Sequence, residues 1–235
     1  MIRKKDKHSG PRKQNQEWDS YWGKKNTVSN NFYDKIAKLY RKYVMVNMFE
    51  YFMKKNFSSG SKLLHAGCGG GYADVCLYGY AEVVALDNSP SALDRYKKNH
   101  GDKSKIILGD IFHLPFEERS FDGIYNQGVM EHFSEEEIRE ILSEFKRVLR
   151  ANGKLVIFWP PTFGSTTNTL DALHFILNKI LRRKVRLHPP EVSRINSKKH
   201  AIEIFNKAGF SVVDYYFGPK DIFTQAVIVA KKSEL

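Results

Sequence analysis

The chain has 235 residues, 42% of them hydrophobic, which suffices for one α/β domain with a sizeable core and an extension. Thirty-eight Lys and Arg against 26 Asp and Glu leave a formal net charge of +12. No apolar run is long enough to span a membrane, residues 1–16 lack the apolar centre of a secretory signal, and two cysteines are too few for a disulfide framework or zinc ribbon, so a cytoplasmic, reducing setting is expected.

Residues 1–16 read as a solvated basic tail. Aromatic and basic residues alternate through 18–22 and 32–52, and Ile36, Leu39, Tyr40, Tyr43, Val46 and Phe49 follow helical spacing. Ser58-Ser59-Gly60-Ser61 is a turn-rich joint into the first strand, Lys62-Leu63-Leu64-His65-Ala66. Gly67-Cys68-Gly69-Gly70-Gly71 follows at once, and the spacing predicts a helix opening over 72–77. A glycine turn between strand and helix lets a ligand approach the backbone closely. A second strand, Glu82-Val83-Val84-Ala85-Leu86, ends at Asp87, placed to accept from the two hydroxyls of a ribose. The pattern implies nucleoside binding. A dinucleotide fingerprint needs glycine where this chain has Tyr72, so a nicotinamide or flavin cofactor is disfavoured.

Strands are predicted at 104–108 and 122–126. Ser134 and Glu137 form a capping box for a helix whose apolar face is Ile138, Ile141, Leu142, Phe145, Val148 and Leu149, with Gly153 as its stop. A fifth strand covers 154–158. After Pro160-Pro161 the alternation breaks into a basic stretch with Leu170, Leu173, Leu177 and Leu181 at helical spacing, read as a cap inserted over 160–196. A helix over 197–208 stopping at Gly209, then two β-rich runs at 211–217 and 224–230, complete the pattern. Strand–helix alternation predicts a parallel sheet with helices on both faces. We divide the chain into a basic, aromatic extension, 1–58, and a main domain, 59–235.

Four ordered blocks carry a resemblance. Residues 63–71, 83–90, 109–116 and 120–127 resemble the successive motifs of class I S-adenosylmethionine-dependent methyltransferases of the small-molecule, type 11-like kind. The resemblance implies a doubly wound, seven-stranded, mostly parallel sheet (the Rossmann-like methyltransferase fold) whose last strand inserts antiparallel beside the fifth. It implies S-adenosyl-L-methionine as cofactor, held by His65, Ala66, Gly67, Cys68, Gly69, Gly71, Asp87, Asn88, Asp110, Ile111, Asn126 and Gln127. One position departs from the family: His65 stands where an acidic residue usually meets the methionine amino group. A neutral imidazole can still accept from an ammonium. Cys68 is read as a packing residue.

Glu131-His132 follows the fourth strand, and His132 is the candidate base, with Glu131 beside it as a further candidate, should the acceptor have to lose a proton. Some relatives bind a metal through E-x-x-E-H here, but Gly128 replaces the first carboxylate, so no metal is expected. Tyr21, Tyr33, Arg182, Arg183 and His188 are candidates for the acceptor pocket. Residues 1–60 hold fourteen basic residues against five acidic, and 179–199 hold eight against one. That distribution favours an anionic small-molecule, lipid or glycan acceptor, with RNA ranked third and membrane-surface contact allowed. The rival reading is a non-catalytic S-adenosylmethionine-binding or RNA-binding or RNA-methylating protein.

Overall fold

In a computed structural model, residues 18–23, 39–164 and 191–233 are described. Seven strands form one sheet: β1 (Lys62–Ala66), β2 (Glu82–Asp87), β3 (Lys105–Leu108), β4 (Phe121–Gln127), β5 (Leu149–Trp159), β6 (Phe210–Tyr216) and β7 (Ala226–Lys232). Their order across the sheet is β3-β2-β1-β4-β5-β7-β6. The first five run parallel, while β7 inserts antiparallel between β5 and β6. The expected doubly wound architecture is present.

The central strands are nearly unbroken apolar runs because both faces are covered. Helix α1 (Val46–Asn56) buries Met48, Phe49, Phe52 and Met53 against Leu63, Val83, Tyr125, Val156 and Phe158 on one face. A π-helical segment, Arg41–Met45, runs directly into α1. The later half of the predicted extension therefore supplies a core helix. Helix α2 (Pro90–His100) adds Ala92 and Tyr96 to the buried set. On the other face, α3 (Glu135–Val148) and α4 (Lys198–Lys207) pack against Leu64, Ile124, Leu155, Ile157 and Trp159.

Helix α3 begins at the predicted capping box: Ser134 accepts from the Glu137 amide, and the Glu137 carboxylate accepts from the Ser134 amide at 2.7 Å. Helix α4 is capped by Ser197, and Gly209 follows it with φ 76°. Two local expectations fail. Gly153 does not stop α3, which ends at Val148; it lies inside β5, where the register with β4 shifts between Phe121 and Gly123. A Cβ there would sit 2.6 Å from the Leu149 side chain and 2.9 Å from the Asp122 carbonyl oxygen, so close packing is what glycine serves. The helix expected over 72–77 is only a 3-10 turn, Asp74–Leu77, because Asp74 is pulled into the core by side-chain bonds.

The predicted cap leaves and returns at one place. Pro161 bridges Ile195, and the Thr162 amide donates to the Ile195 carbonyl at 2.8 Å. The helix read over 170–187 lies outside the described residues, as do Tyr33, Arg182, Arg183 and His188. No helix among the described residues is long and apolar enough to cross a membrane.

Candidate functional site

The strand order reverses between β1 and β4, and a cleft of about 490 Å³ opens at the carboxyl ends of β1, β2 and β4. Its floor is the loop after β1, where Gly67, Gly69 and Gly71 all have positive φ. A Cβ on Gly67 would lie 2.7 Å from Val129 Cγ2, and one on Gly69 would lie 2.6 Å from the Trp22 ring. Glycine is needed at both places for conformation and for space.

Four of the five amides over 67–71 donate within the protein. The amides of Gly67 and Cys68 both donate to the Leu86 carbonyl, at 2.8 and 2.9 Å, and that of Gly71 donates to the Cys68 carbonyl at 2.8 Å. The Gly69 amide donates to Asp87 Oδ2 at 2.8 Å. A pyrophosphate cradle requires free amides at the start of a helix. Here four of the five amides are engaged and only a four-residue 3-10 turn follows. The floor suits a ligand without phosphate.

Asp87 ends β2 and is buried. Burial pushes its carboxyl up, and the bonds from Gly69 and from the Ser89 amide, at 2.9 Å, oppose that shift. The Asn88 amide adds a third bond to this carboxylate, which holds it as an acceptor at the end of β2. Burial also drives the Cys68 thiol well above its usual value, which leaves it a packing group without nucleophilic character.

His65, at the far end of the loop, is one-twentieth exposed and lines the cleft. Its Nδ1 lies 2.8 Å from Asp74 Oδ2, a residue the sequence reading did not single out. Asp74 is fully buried, and it also accepts from the Tyr96 hydroxyl at 2.8 Å and the Tyr125 hydroxyl at 3.0 Å.

Asn88, Ile111 and Gln127 line the cleft with the residues above, and Gln127 Nε2 donates to Gln225 Oε1 at 2.9 Å. Three predicted contacts sit elsewhere. Ala66 is buried in the core beneath the loop. Asp110 caps its own turn by accepting from the Phe112 amide at 3.0 Å. Asn126 points away into the interior, where both its polar side-chain atoms lack a partner.

Trp18 and Trp22, in the helical turn 18–23, wall the cleft, and Tyr21 packs edge-on to both rings outside it. Asp19 fastens this turn to the start of α2 by accepting from Ser89 Oγ at 2.8 Å and the Ser91 amide at 2.9 Å. Phe133, Val129 and Ile111 supply apolar wall, and Arg41 with Met45 brings the segment before α1 to the cleft.

Glu131 and His132 form the 3-10 turn Met130–His132 after β4, with 4.0 Å between Glu131 Oε1 and His132 Nε2. Neither lines the cleft directly. His132 packs edge-on against Trp18, which does, with ring centroids 4.7 Å apart. Glu131 is buried: burial pushes its carboxyl up to about 8, its Oε2 lacks a partner, and its carbonyl accepts from the Val192 and Ser193 amides. That upward shift favours the protonated form over a base.

Residues 64–157 match the family described as Methyltransferase domain. An uncharacterized methyltransferase of Synechocystis is 35% identical over 115 residues, covering 44% of this chain and 54% of that protein. A sterol 24-C-methyltransferase of Pneumocystis carinii is 36% identical over 101 residues, 40% of this chain and 26% of that protein. The chain thus spans about half the length, or less, of these curated relatives. The 1,6-didemethyltoxoflavin-N1-methyltransferase of Burkholderia thailandensis, solved with 1,6-didemethyltoxoflavin and S-adenosylhomocysteine, superposes with a TM-score of 0.67 at 16% identity, covering 96% of this chain and 92% of that one. That likeness is one of fold.

Proposed function

We propose that this chain, whose residues 64–157 form a class I S-adenosylmethionine-dependent methyltransferase domain, transfers a methyl group from S-adenosylmethionine to a small organic acceptor. The observation that carries the reading is the pairing of a glycine floor, in which the amides of Gly67, Cys68, Gly69 and Gly71 are already bonded, with the buried Asp87 carboxylate beside it at the cleft. A phosphate-free nucleoside fits that donor set, and a dinucleotide does not.

When bound, S-adenosylmethionine supplies an electrophilic methyl on a sulfonium, a leaving group that needs no acid. The protein's residues then have three tasks. Gly67 and Gly69 admit the ligand to the backbone, while Asp87 accepts from the ribose hydroxyls. Ile111 supplies an apolar surface for the adenine. Trp18, Trp22, Val129 and Phe133 exclude water from the space beside the loop and hold the acceptor in line.

An acceptor hydroxyl would have to shed a proton, and His132, edge-on to the cleft-lining Trp18, is our candidate to take it. An acceptor amine already neutral in the cleft requires no base. We favour an anionic acceptor, because Arg41 stands at the cleft and the segments flanking the domain are strongly basic.

Calorimetry with S-adenosylmethionine, S-adenosylhomocysteine and NAD tests the cofactor: the first two should bind and NAD should not. Release of S-adenosylhomocysteine across a panel of anionic and neutral acceptors then tests the reaction. Binding of NAD in preference to S-adenosylhomocysteine overturns the proposal.

A further inference from the structure

The structure assigns a role to Asp74: we propose that it is a positioning residue that fixes His65 in one tautomer, so that the imidazole can take the amino group of the S-adenosyl amino acid. The inference rests on reading the cleft as an S-adenosylmethionine site and says how its amino-acid end is held.

The donors and acceptors leave little choice. An ionised carboxylate only accepts, so all three groups around Asp74 must donate. The Tyr96 and Tyr125 hydroxyls do so at 2.8 and 3.0 Å, and the third donor, at 2.8 Å, is His65 Nδ1–H. The proton of a neutral imidazole is thereby committed to Nδ1, and Nε2 carries the lone pair. The ring itself packs at a tilt against Tyr125, with centroids 4.5 Å apart and an interplanar angle of 33°. His65 lines the cleft, and among the described residues Asp74 is the hydrogen-bond partner of its ring. An oriented acceptor at the end of the glycine loop suits an ammonium. The carboxylate usually found on the strand is here set back behind an imidazole, nine residues later in the chain.

Protonation of His65 would turn Nε2 from acceptor into donor and set a cation against the ammonium. The titratable groups around His65 are Asp74 from the 3-10 turn, Tyr125 on β4, Asp87 on β2, and Tyr96 and His100 on α2. Binding of the amino end through Nε2 therefore requires the neutral ring.

The test compares two ligands that share the nucleoside and thioether. S-adenosylhomocysteine carries the amino-acid end, and 5′-methylthioadenosine lacks it. In the unmodified protein, S-adenosylhomocysteine should bind about tenfold or more tighter than 5′-methylthioadenosine. Asp74→Asn should weaken S-adenosylhomocysteine by about ten- to a hundredfold and leave 5′-methylthioadenosine nearly unchanged. His65→Asp should retain S-adenosylhomocysteine binding and make Asp74→Asn harmless.

Equal losses for both ligands in Asp74→Asn would mean that Asp74 merely supports the loop. Equal affinity of the unmodified protein for both ligands overturns the inference without any variant having to fold. If 5′-methylthioadenosine binds and S-adenosylhomocysteine binds no better, the nucleoside site stands and the amino-end assignment falls. If neither binds, the cofactor reading falls with it.

Discussion

Asp19 and Ser89 are joined by a 2.8 Å hydrogen bond across seventy residues of sequence. The same aspartate oxygen takes the Ser91 amide, while Ser89 Oγ caps α2 by accepting from Ala92. This small junction holds the 18–23 turn, and with it Trp18 and Trp22, over the glycine loop.

Asp19→Ala should therefore weaken S-adenosylhomocysteine binding, by about two- to fivefold given that the pair is part-buried. The Ser91 amide and Ser89 hydroxyl hold the Asp19 carboxyl below its ordinary value. Its contribution is thus present above the unfolded value of 3.8 and fades as pH falls through the lower folded one. Quenching of tryptophan fluorescence by acrylamide should rise in the variant at neutral pH. Unchanged quenching would show that the turn does not depend on Asp19.

Replacing Asp87 by alanine removes the acceptor proposed for the ribose and also frees the Gly69 amide. We expect a loss of about 1–3 kcal/mol in S-adenosylmethionine affinity. Isothermal calorimetry measures it directly, and unaltered affinity would remove Asp87 from the site.

Glu131 gives a pH signature in stability. Its folded pKa of about 8 exceeds the ordinary 4.5, so folding takes up a proton between these values. The contribution is fully present below about 4.5, is lost as pH rises toward about 8, and is constant beyond. Glu131→Gln abolishes the titration, so the variant should gain on the unmodified protein progressively across that window. Urea unfolding at several pH values reads the difference, and parallel curves would contradict the burial.

The basic run beyond the fifth strand supplies a fourth test. Arg182→Glu together with Arg183→Glu should raise the acceptor KM and flatten its salt dependence, leaving S-adenosylhomocysteine affinity unchanged. Normal turnover of an anionic acceptor at low salt would exclude these arginines from its recognition.

Sequence patterns disclosed what is local. The capping box of α3 lies within four residues, the glycine floor within five, and the distance from Gly67 to Asp87 is one strand–turn–strand unit. Gly153 misled because a glycine after an apolar helical face resembles a stop, while its real constraint is the Asp122 carbonyl and Leu149 side chain across a shifted register. Asp74 stayed hidden for a related reason. Its partners lie 9, 22 and 51 residues away, and no periodicity joins them. Asn126 looked like a contact because it precedes Gln127 at the end of β4. Strand alternation turns it to the opposite face.

The position of β7 has a consequence for how the chain is made. Leu155, Val156, Ile157, Phe158 and Trp159 are wholly buried, and the neighbour that covers their open edge is β7, paired from Lys154↔Lys231 to Trp159↔Ala226. Residues 160–225 must emerge from the ribosome before that partner exists. Until then a nascent chain presents an unpaired, strongly apolar strand edge, the kind of surface that recruits chaperones or aggregates. Synthesis is therefore the stage at which this protein is most vulnerable, and a chain interrupted before Ala226 should accumulate in the insoluble fraction even though every cleft-lining residue described above has already been translated.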